Sequence, residues 1–510
     1  MMLGLMPIRI ANPLAVLSLV AMLAACGGSG NGGSEVSDSR EPDAGGGSNT
    51  ETNDGDTEGG DDDSGVSDNG GAQDTMSVLL FSASDLFSGS ESLWVSDGTA
   101  EGTRRLGDAR SPANYYRIGD TVFFTASSNE TETGPELWKT DGTEEGTELV
   151  KDINPGGFGS APADLQGIGE TLYFRASVAG STGLWRSDGT EAGTEQITGD
   201  FNAPAYLTVL DGVLYFSAST GDTVGRQLWR SDGTAEGTEM VKDFEPATNL
   251  NVELLTALNG TLYFSADDGT FGLELWRSDG TESGTYMVRD INPEALEGYN
   301  PDKPENATGG ASPHNLTAFG GVLYFSAYDG TNGHELWRSD GTEDGTYLVK
   351  DISAGANSSF PRGLTIFDGT LYFVANESTD NPGLWRSDGT EGGTELVTAI
   401  SPSPWGTEYM TVFEDAIYYK ANDGTNGFEL WRSDGSEGGT AMVKDINPAS
   451  AASSLPEHLT VFDGKLYFSA DDGVYGRELW RSDGTEGGTE LVKDICGGCN
   501  ANPKSFFAVQ

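Results

Sequence analysis

Glu478-Leu479-Trp480-Arg481-Ser482-Asp483-Gly484-Thr485 is the stretch on which the reading of this chain turns. It recurs with variation nine times, each copy marked by a tryptophan: Trp94, Trp138, Trp185, Trp229, Trp276, Trp337, Trp385, Trp431 and Trp480. Successive tryptophans lie 44, 47, 44, 47, 61, 48, 46 and 49 residues apart. A period of this length, filled with several short strands, is the signature of a propeller blade.

The last full repeat shows how one unit is built. Leu459–Phe462 is a short apolar run, and Asp463-Gly464 is a strong two-residue hairpin signal. Lys465–Ala470 reads as a second strand, Asp471–Gly476 as a loop and Glu478–Ser482 as a third strand. Asp483–Gly488 turns the chain again, into a fourth strand over Thr489–Ile495. No helical period interrupts them. The Asp of each Asp-Gly-Thr turn is expected to accept backbone N–H groups of its own turn while Gly takes positive φ. An ion or ligand site is the other reading of these Asp. The repeat tryptophans are read as wedges between blades, with a sugar platform as the alternative. The repeated Arg, as at Arg186 and Arg481, lies near the Lys-Asp pairs of strand four, and inter-strand ion pairs are expected there.

Glu-Leu-Trp-x-x-Asp-Gly-Thr is intact from Glu136, Glu274, Glu335 and Glu478, and Ser436 replaces Thr in the copy that begins at Glu429. Elsewhere Ser92, Gly183, Gln227 or Gly383 stands in the Glu position. These residues, from about 77 to 495, resemble the bacterial ELWxxDGT-repeat family. The resemblance implies an exported, often surface-associated protein of undefined biochemical function, and it brings no catalytic residues.

The repeats start out of phase. Ser77–Ala83 matches strand two, so one strand is missing from the first unit. A proline precedes strand one at Pro112, Pro162, Pro204, Pro313, Pro361 and Pro456, and Pro503 stands in the same relation to Phe506–Val509. The tail is therefore expected to be strand one of the first blade. The fold expected for residues 76–510 is an all-β propeller of nine four-stranded blades closed by the C-terminal strand, which leaves no free edge.

The N-terminus carries export chemistry. Residues 1–25 read as a signal peptide whose apolar run, Pro13–Ala25, is short for a membrane span. Leu23-Ala24-Ala25-Cys26 resembles a lipobox, which implies lipidation of Cys26, and Gly27 after the Cys favours the outer membrane. Residues 26–75 lack aromatic side chains and read as a disordered acidic tether of Gly, Ser and Asp. Such a tether reaches roughly 40 Å. Cys496-Gly-Gly-Cys499 in an exported protein reads as a disulfide.

The net charge of −52 argues against nucleic acid and against an anionic membrane surface, leaving the lipid anchor as the membrane contact. It suits cationic ligands, divalent ions or a saline medium. Asp267, Asp268, Asp423, Asp471 and Asp472 in the strand-two/three loops are weak Ca²⁺ candidates, since no EF-hand spacing is present. No nucleophile elbow, phosphate loop or His-metal motif appears, so no catalytic residue is assigned. Strand-one/two and strand-three/four turns share one end of a blade and are nearly identical between repeats. The opposite end carries the variation, and function concentrates on variable loops over a rigid scaffold. Its largest departures are Asn292–Pro313, with Tyr299, Asp302, Lys303 and Glu305, and Ser401–Gly406, with Trp405. These five are the candidate partner-binding residues. The expected function is a lipid-anchored envelope platform for a protein or an extracellular polymer. A carbohydrate-active enzyme and a structural coat protein are the alternatives.

Overall fold

The computed structural model describes residues 77–85, 90–128, 133–199, 201–221, 225–244, 252–293, 310–378, 382–399, 401–402, 410–449 and 452–510. They belong to one compact unit, Gly71–Gln510. The described residues are all-β, with no helix among them.

Repeat nine follows the sequence reading closely. Glu457–Phe462, Lys465–Asp471, Arg477–Ser482 and Glu490–Lys493 pair in chain order as a four-stranded antiparallel sheet. Asp463 and Gly464 both take positive φ, 45° and 65°, as a two-residue hairpin with right-handed strand twist requires. Strand two is apolar on both faces: Leu466, Tyr467, Phe468 and Ala470 are all buried. A sheet like this is stable only when both faces are covered.

The cover comes from the neighbouring repeats. Among the described residues nine apolar clusters each join two consecutive repeats. One of them sets Leu79, Phe81 and Trp94 of repeat one against Phe462, Tyr467 and Leu479 of repeat nine. The repeat tryptophans sit at these seams, as the wedge reading expects. Strand-one segments touch in the order Arg104–Ile118, Ala163–Ile168, Phe201–Leu210, Glu253–Leu258, His314–Phe319, Arg362–Phe367, Thr411–Phe413, Glu457–Phe462 and Lys504–Val509. The last of these touches the first. Lys504–Val509 pairs antiparallel with Val78–Ser84, Val509 opposite Val78 and Phe507 opposite Leu80.

Two local features depart from the sequence reading. Strand four of repeat one and strand one of repeat two are a single strand, Arg104–Ile118, so these two repeats share a seven-stranded sheet. The recurring proline also marks a kink and not merely a strand start. Ser111, Ala161, Ser312, Phe360, Leu455 and Asn502, each just before the proline, have φ of 48–49°. Two residues past the proline φ is again positive, as at Asn114, Asp164, Asn315 and His458. The register against strand two shifts at these points, as in a β-bulge. Left-handed φ costs about 1–2 kcal/mol for a residue with a Cβ. Part of that is offset where Asn114 and Asn315 donate to the carbonyls of Pro162 and Pro361 in the following repeat, at 3.2 and 3.1 Å.

Removing Lys504–Gln510 takes away Val509 and the partly buried Phe506 and Phe507. The thermal midpoint should fall by roughly 5–10 °C, from several kcal/mol of lost burial. Near-UV circular dichroism on heating measures it, and an unchanged midpoint would show that this strand contributes nothing to the seam.

Candidate functional site

The two ends of the repeats are built by different rules. At the strand-three/four turn, Asp483 Oδ1 accepts from the Thr485 amide (3.0 Å) and hydroxyl (2.7 Å), and Thr485 Oγ1 accepts from Gly488 N. Ser482 and Thr489 hydroxyls close the base at 2.7 Å. The same network stands at Asp97, Asp141, Asp188, Asp232, Asp279, Asp340, Asp388 and Asp434, with a Ser436 hydroxyl serving in the last. The two hydrogen bonds from the Thr, or from Ser436, hold these carboxyls below the usual range. The Asp of the motif is thus spent on its own turn.

The repeated Arg does more than pair within its sheet. Its ion-pair partner is the Glu that opens strand four, Glu195 for Arg186, Glu239 for Arg230, Glu395 for Arg386 and Glu490 for Arg481, and not the Asp of the Lys-Asp pair. Where Tyr286 or Tyr347 replaces that Glu, Arg277 or Arg338 stacks on the ring instead, at 5.5 and 5.2 Å. The other guanidinium arm crosses the seam. Arg186, Arg230, Arg277, Arg386 and Arg481 donate to the Gly carbonyl of the next repeat's turn, at Gly233, Gly280, Gly341, Gly435 and Gly98. A second cation, on strand four, repeats the staple. Lys151, Arg289, Lys350, Lys444 and Lys493 donate at 2.6 Å to the carbonyls of Thr194, Thr346, Thr394, Thr489 and Thr103.

The opposite end is organised by the Glu of the motif, a role the sequence reading missed. Glu136, Glu274, Glu335, Glu429 and Glu478 are fully buried. Each carboxyl reaches under the connector to the next repeat and accepts its backbone N–H groups. Glu335 takes Ile352, Ser353 and Ser359 N at 2.9, 3.4 and 2.8 Å, and the Ser359 hydroxyl at 2.5 Å. Glu274 takes Ile291, Asn292 and Ala311 N at 3.0, 3.3 and 3.0 Å. Gln227 keeps one such bond, from Phe244 N. The signal was available in the spacing. The three repeats with Ser92, Gly183 or Gly383 are followed by the shortest intervals, 44, 44 and 46 residues. A Glu is present only where a longer connector must be tied down. Burial pushes these carboxyls up, Glu274 to about 8 and Glu335 and Glu478 to about 7, outweighing the N–H donors.

The remaining candidates fall as follows. Asp267 and Asp471 accept Gly269 and Gly473 N, while Asp268, Asp423 and Asp472 each accept two successive amides of their own loops. Asp423 and the pair Asp471, Asp472 lie in different repeats from Asp267 and Asp268. Among the described residues no group of three or more His, Cys, Asp or Glu is placed to hold a metal ion. These five carboxylates are turn acceptors here, and the structure gathers them into no Ca²⁺ site. Cys496 and Cys499 are joined, with Cα atoms 5.1 Å apart, in the segment before Lys504–Val509. His314 and His334 meet at 5.4 Å between ring centres, with burial lowering both. Lys420, 3% exposed, pairs with Glu457 at 3.0 Å, and Arg477 approaches the same carboxylate at 3.5 Å. Tyr299, Asp302, Lys303, Glu305, Trp405 and Cys26 lie outside the described residues.

No family model and no curated protein matches the sequence. Among solved structures, a puromycin hydrolase is similar at 17% identity and a TM-score of 0.34, over 65% of this chain and 53% of that one. A Mycobacterium tuberculosis puromycin-hydrolyzing peptidase is similar at 12% identity and a TM-score of 0.36, over 66% and 54%. TolB from Acinetobacter baumannii is similar at 16% identity and a TM-score of 0.29, over 52% and 62%. The chain thus spans about half the length of the two hydrolases. A likeness this remote transfers no activity.

The buried Glu set a pH dependence. Their folded pKa values lie above the ordinary carboxyl value of 4.5, so the folded state holds protons that the unfolded state releases. Their contribution is complete below about pH 4.5 and is lost as pH rises through about 7 to 8. Urea midpoints should fall between pH 5 and 8.5, and Glu274→Gln, which copies Gln227, should flatten the fall. A steeper fall in that variant would reverse the assigned sign. Glu335→Ala leaves the buried Ile352 and Ser353 amides without their acceptor and should cost about 2–3 kcal/mol at pH 6, measured by the same titration.

Proposed function

We propose that residues 76–510 form a nine-bladed β-propeller closed by the C-terminal strand, held at the bacterial outer membrane by lipidated Cys26 and the 26–75 tether. In this reading it is a binding platform for an envelope protein or an extracellular polymer. The cyclic order of the seam clusters and strand-one contacts supports nine blades and closure.

One observation carries the functional reading. The strand-three/four end repeats a single hydrogen-bond network nine times, while the connector end changes length at nearly every seam and is pinned by Glu only where it is long. Rigid support beneath a varied surface is the arrangement of recognition loops on a scaffold. The variable end also carries the exposed aromatic side chains Phe158 and Tyr475 and the exposed Phe360 beside a connector kink. Large apolar groups held in water at loop tips suit a contact surface.

Crosslinking and pull-down of the full lipoprotein from its native envelope tests this. The comparison is with a variant carrying a shortened 294–309 segment and Trp405→Ala. A defined partner that is retained by the parent and depleted about tenfold or more in the variant is expected. A partner list identical in both would remove the variable end as the binding face. Release of reducing sugar from an envelope polymer by the parent chain would move the function to carbohydrate turnover.

A further inference from the structure

The seam between repeats three and four lacks its strand-four cation. At that position Lys151, Lys242, Arg289, Lys350, Lys444 and Lys493 stand in six repeats, and Thr198 stands in repeat three. The strand pairing fixes the equivalence: Lys242 lies opposite Leu228 and Thr198 opposite Leu184, each two residues before its own repeat's Arg. Gly107 and Thr398 occupy the position in the two other short-connector repeats.

What the cation does elsewhere is known from the geometry. Lys350 Nζ stands 6.0 Å over the ring of Trp385, the tryptophan of the following repeat, and donates to Thr394 O at 2.6 Å. Lys151 reaches both Thr194 O and Glu191 O, at 2.6 and 3.3 Å. Lys493 reaches Thr103 O and Ala100 O, at 2.6 and 2.9 Å. The staple is thus an ammonium donating to one or two carbonyls of the next repeat's turn, and at Trp385 it also stands over the ring.

At the three–four seam the same space is open. A cleft of about 680 Å³ is lined by Thr198, Phe201, Asn202, Trp229, Ala235 and Thr238, among others. Ala235 and Thr238 are the counterparts of Glu191 and Thr194, and of Ala100 and Thr103. Trp229 alone among the nine repeat tryptophans is not fully buried, and its indole N–H is turned away to Ala218 O at 3.1 Å. Phe201 packs edge-on against it at 4.8 Å and adds a second aromatic wall.

We propose that this cleft binds a primary alkylammonium group, the side chain of a partner's lysine or the end of a diamine, in place of the cation that Thr198 removes. The methylenes lie along Trp229, the ammonium sits over or beside the ring, and its N–H groups reach the Ala235 and Thr238 carbonyls. The chain's strong negative charge raises the local concentration of such cations. The proposal does not rest on the envelope-platform reading, because it uses seam residues and not the variable connectors.

The test is calorimetric titration of the full chain in detergent with Nα-acetyl-lysine methylamide, 1,5-diaminopentane, the norleucine analogue as a neutral isostere, and cellobiose. The two amines should bind saturably with a dissociation constant on the order of 1 mM, and the norleucine analogue and cellobiose at least tenfold more weakly. Thr198→Lys, which restores the staple from within, should abolish amine binding and leave the thermal midpoint unchanged or higher. Thr198→Ser should bind as the parent does. A tighter lysine derivative would assign the site to a partner protein, and a tighter diamine to a free polyamine. The proposal is overturned if Thr198→Lys binds amines like the parent, if cellobiose outcompetes the amines, or if no saturable binding is seen.

Discussion

Everything in this structure depends on covering a sheet that is apolar on both faces. A strand such as Leu466–Ala470, buried along its length, cannot be satisfied by its own four-stranded sheet. Its stability comes from the repeat before and the repeat after, as in any array whose units contact only their neighbours. The seam supplies the cover with a tryptophan wedge and a Tyr-Phe pair. It supplies direction with cations, which donate across the seam to carbonyls of the next turn. Those hydrogen bonds matter more than the ion pairs beside them. Arg481 and Glu490 form an ion pair that is largely open to water, where such pairs contribute little. The bond from Arg481 to Gly98 O joins residues 383 apart in sequence and fixes one sheet's turn against another.

The same logic explains why the Asp-Gly-Thr turn hardly varies. It has an internal task, which the Asp and Thr perform, and an external one, because its Gly and second Thr carbonyls receive the preceding repeat's cations. The Gly is held twice over. Its φ lies near +85 to +90°, and at most seams a strand-two tyrosine hydroxyl of the preceding repeat stands where a Cβ would be, as Tyr467 does at Gly98 and Tyr173 at Gly233. A turn read from both sides has little room to change. The connector end is received by one Glu beneath it, and the surface above that Glu is unconstrained.

Much of this was legible in the sequence because it is local. The Asp463-Gly464 hairpin and the strand limits of repeat nine follow from alternation and turn chemistry, whereas the pairing of the tail with Val78–Ser84 is not local and follows from the phase of the repeat. The continuous strand Arg104–Ile118 was not legible, because Pro112 reads as a break and is instead absorbed by a bulge at positive φ. The second partner of each Arg was hidden for another reason. It lies about one repeat away, and nothing in a single repeat points to it. The Glu pin sat between these cases: its role is non-local, yet its presence follows the interval to the next tryptophan. In the acidic loops an Asx turn and an ion site ask for the same residue types, so the sequence offers both readings, and the structure shows the turn hydrogen bonds. The residues favoured as contacts, Trp405 and the Tyr299–Glu305 segment, lie outside the described part of the chain.

The three seams where neither Glu nor Gln stands, at Ser92, Gly183 and Gly383, also lack the strand-four cation, and the geometry shows why these losses travel together. Both residues serve a connector that leaves strand four, crosses the seam and re-enters as strand one. When the connector is short the backbone itself occupies the Glu's space. A Cβ on Gly183 would lie 2.7 Å from Thr198 O, and one on Gly383 would lie 2.9 Å from Thr398 O. Neither position can regain a side chain while the short connector persists. The carbonyls that crowd them belong to Thr198 and Thr398, the residues that stand where the cation would be. A seam therefore changes as a unit, through connector length, and not residue by residue. Of the three changed seams, only the one at Trp229 leaves its tryptophan partly open. A short connector removes the staple at all three seams, and where the tryptophan also stays partly open, at Trp229, the joint becomes a recess with an aromatic wall.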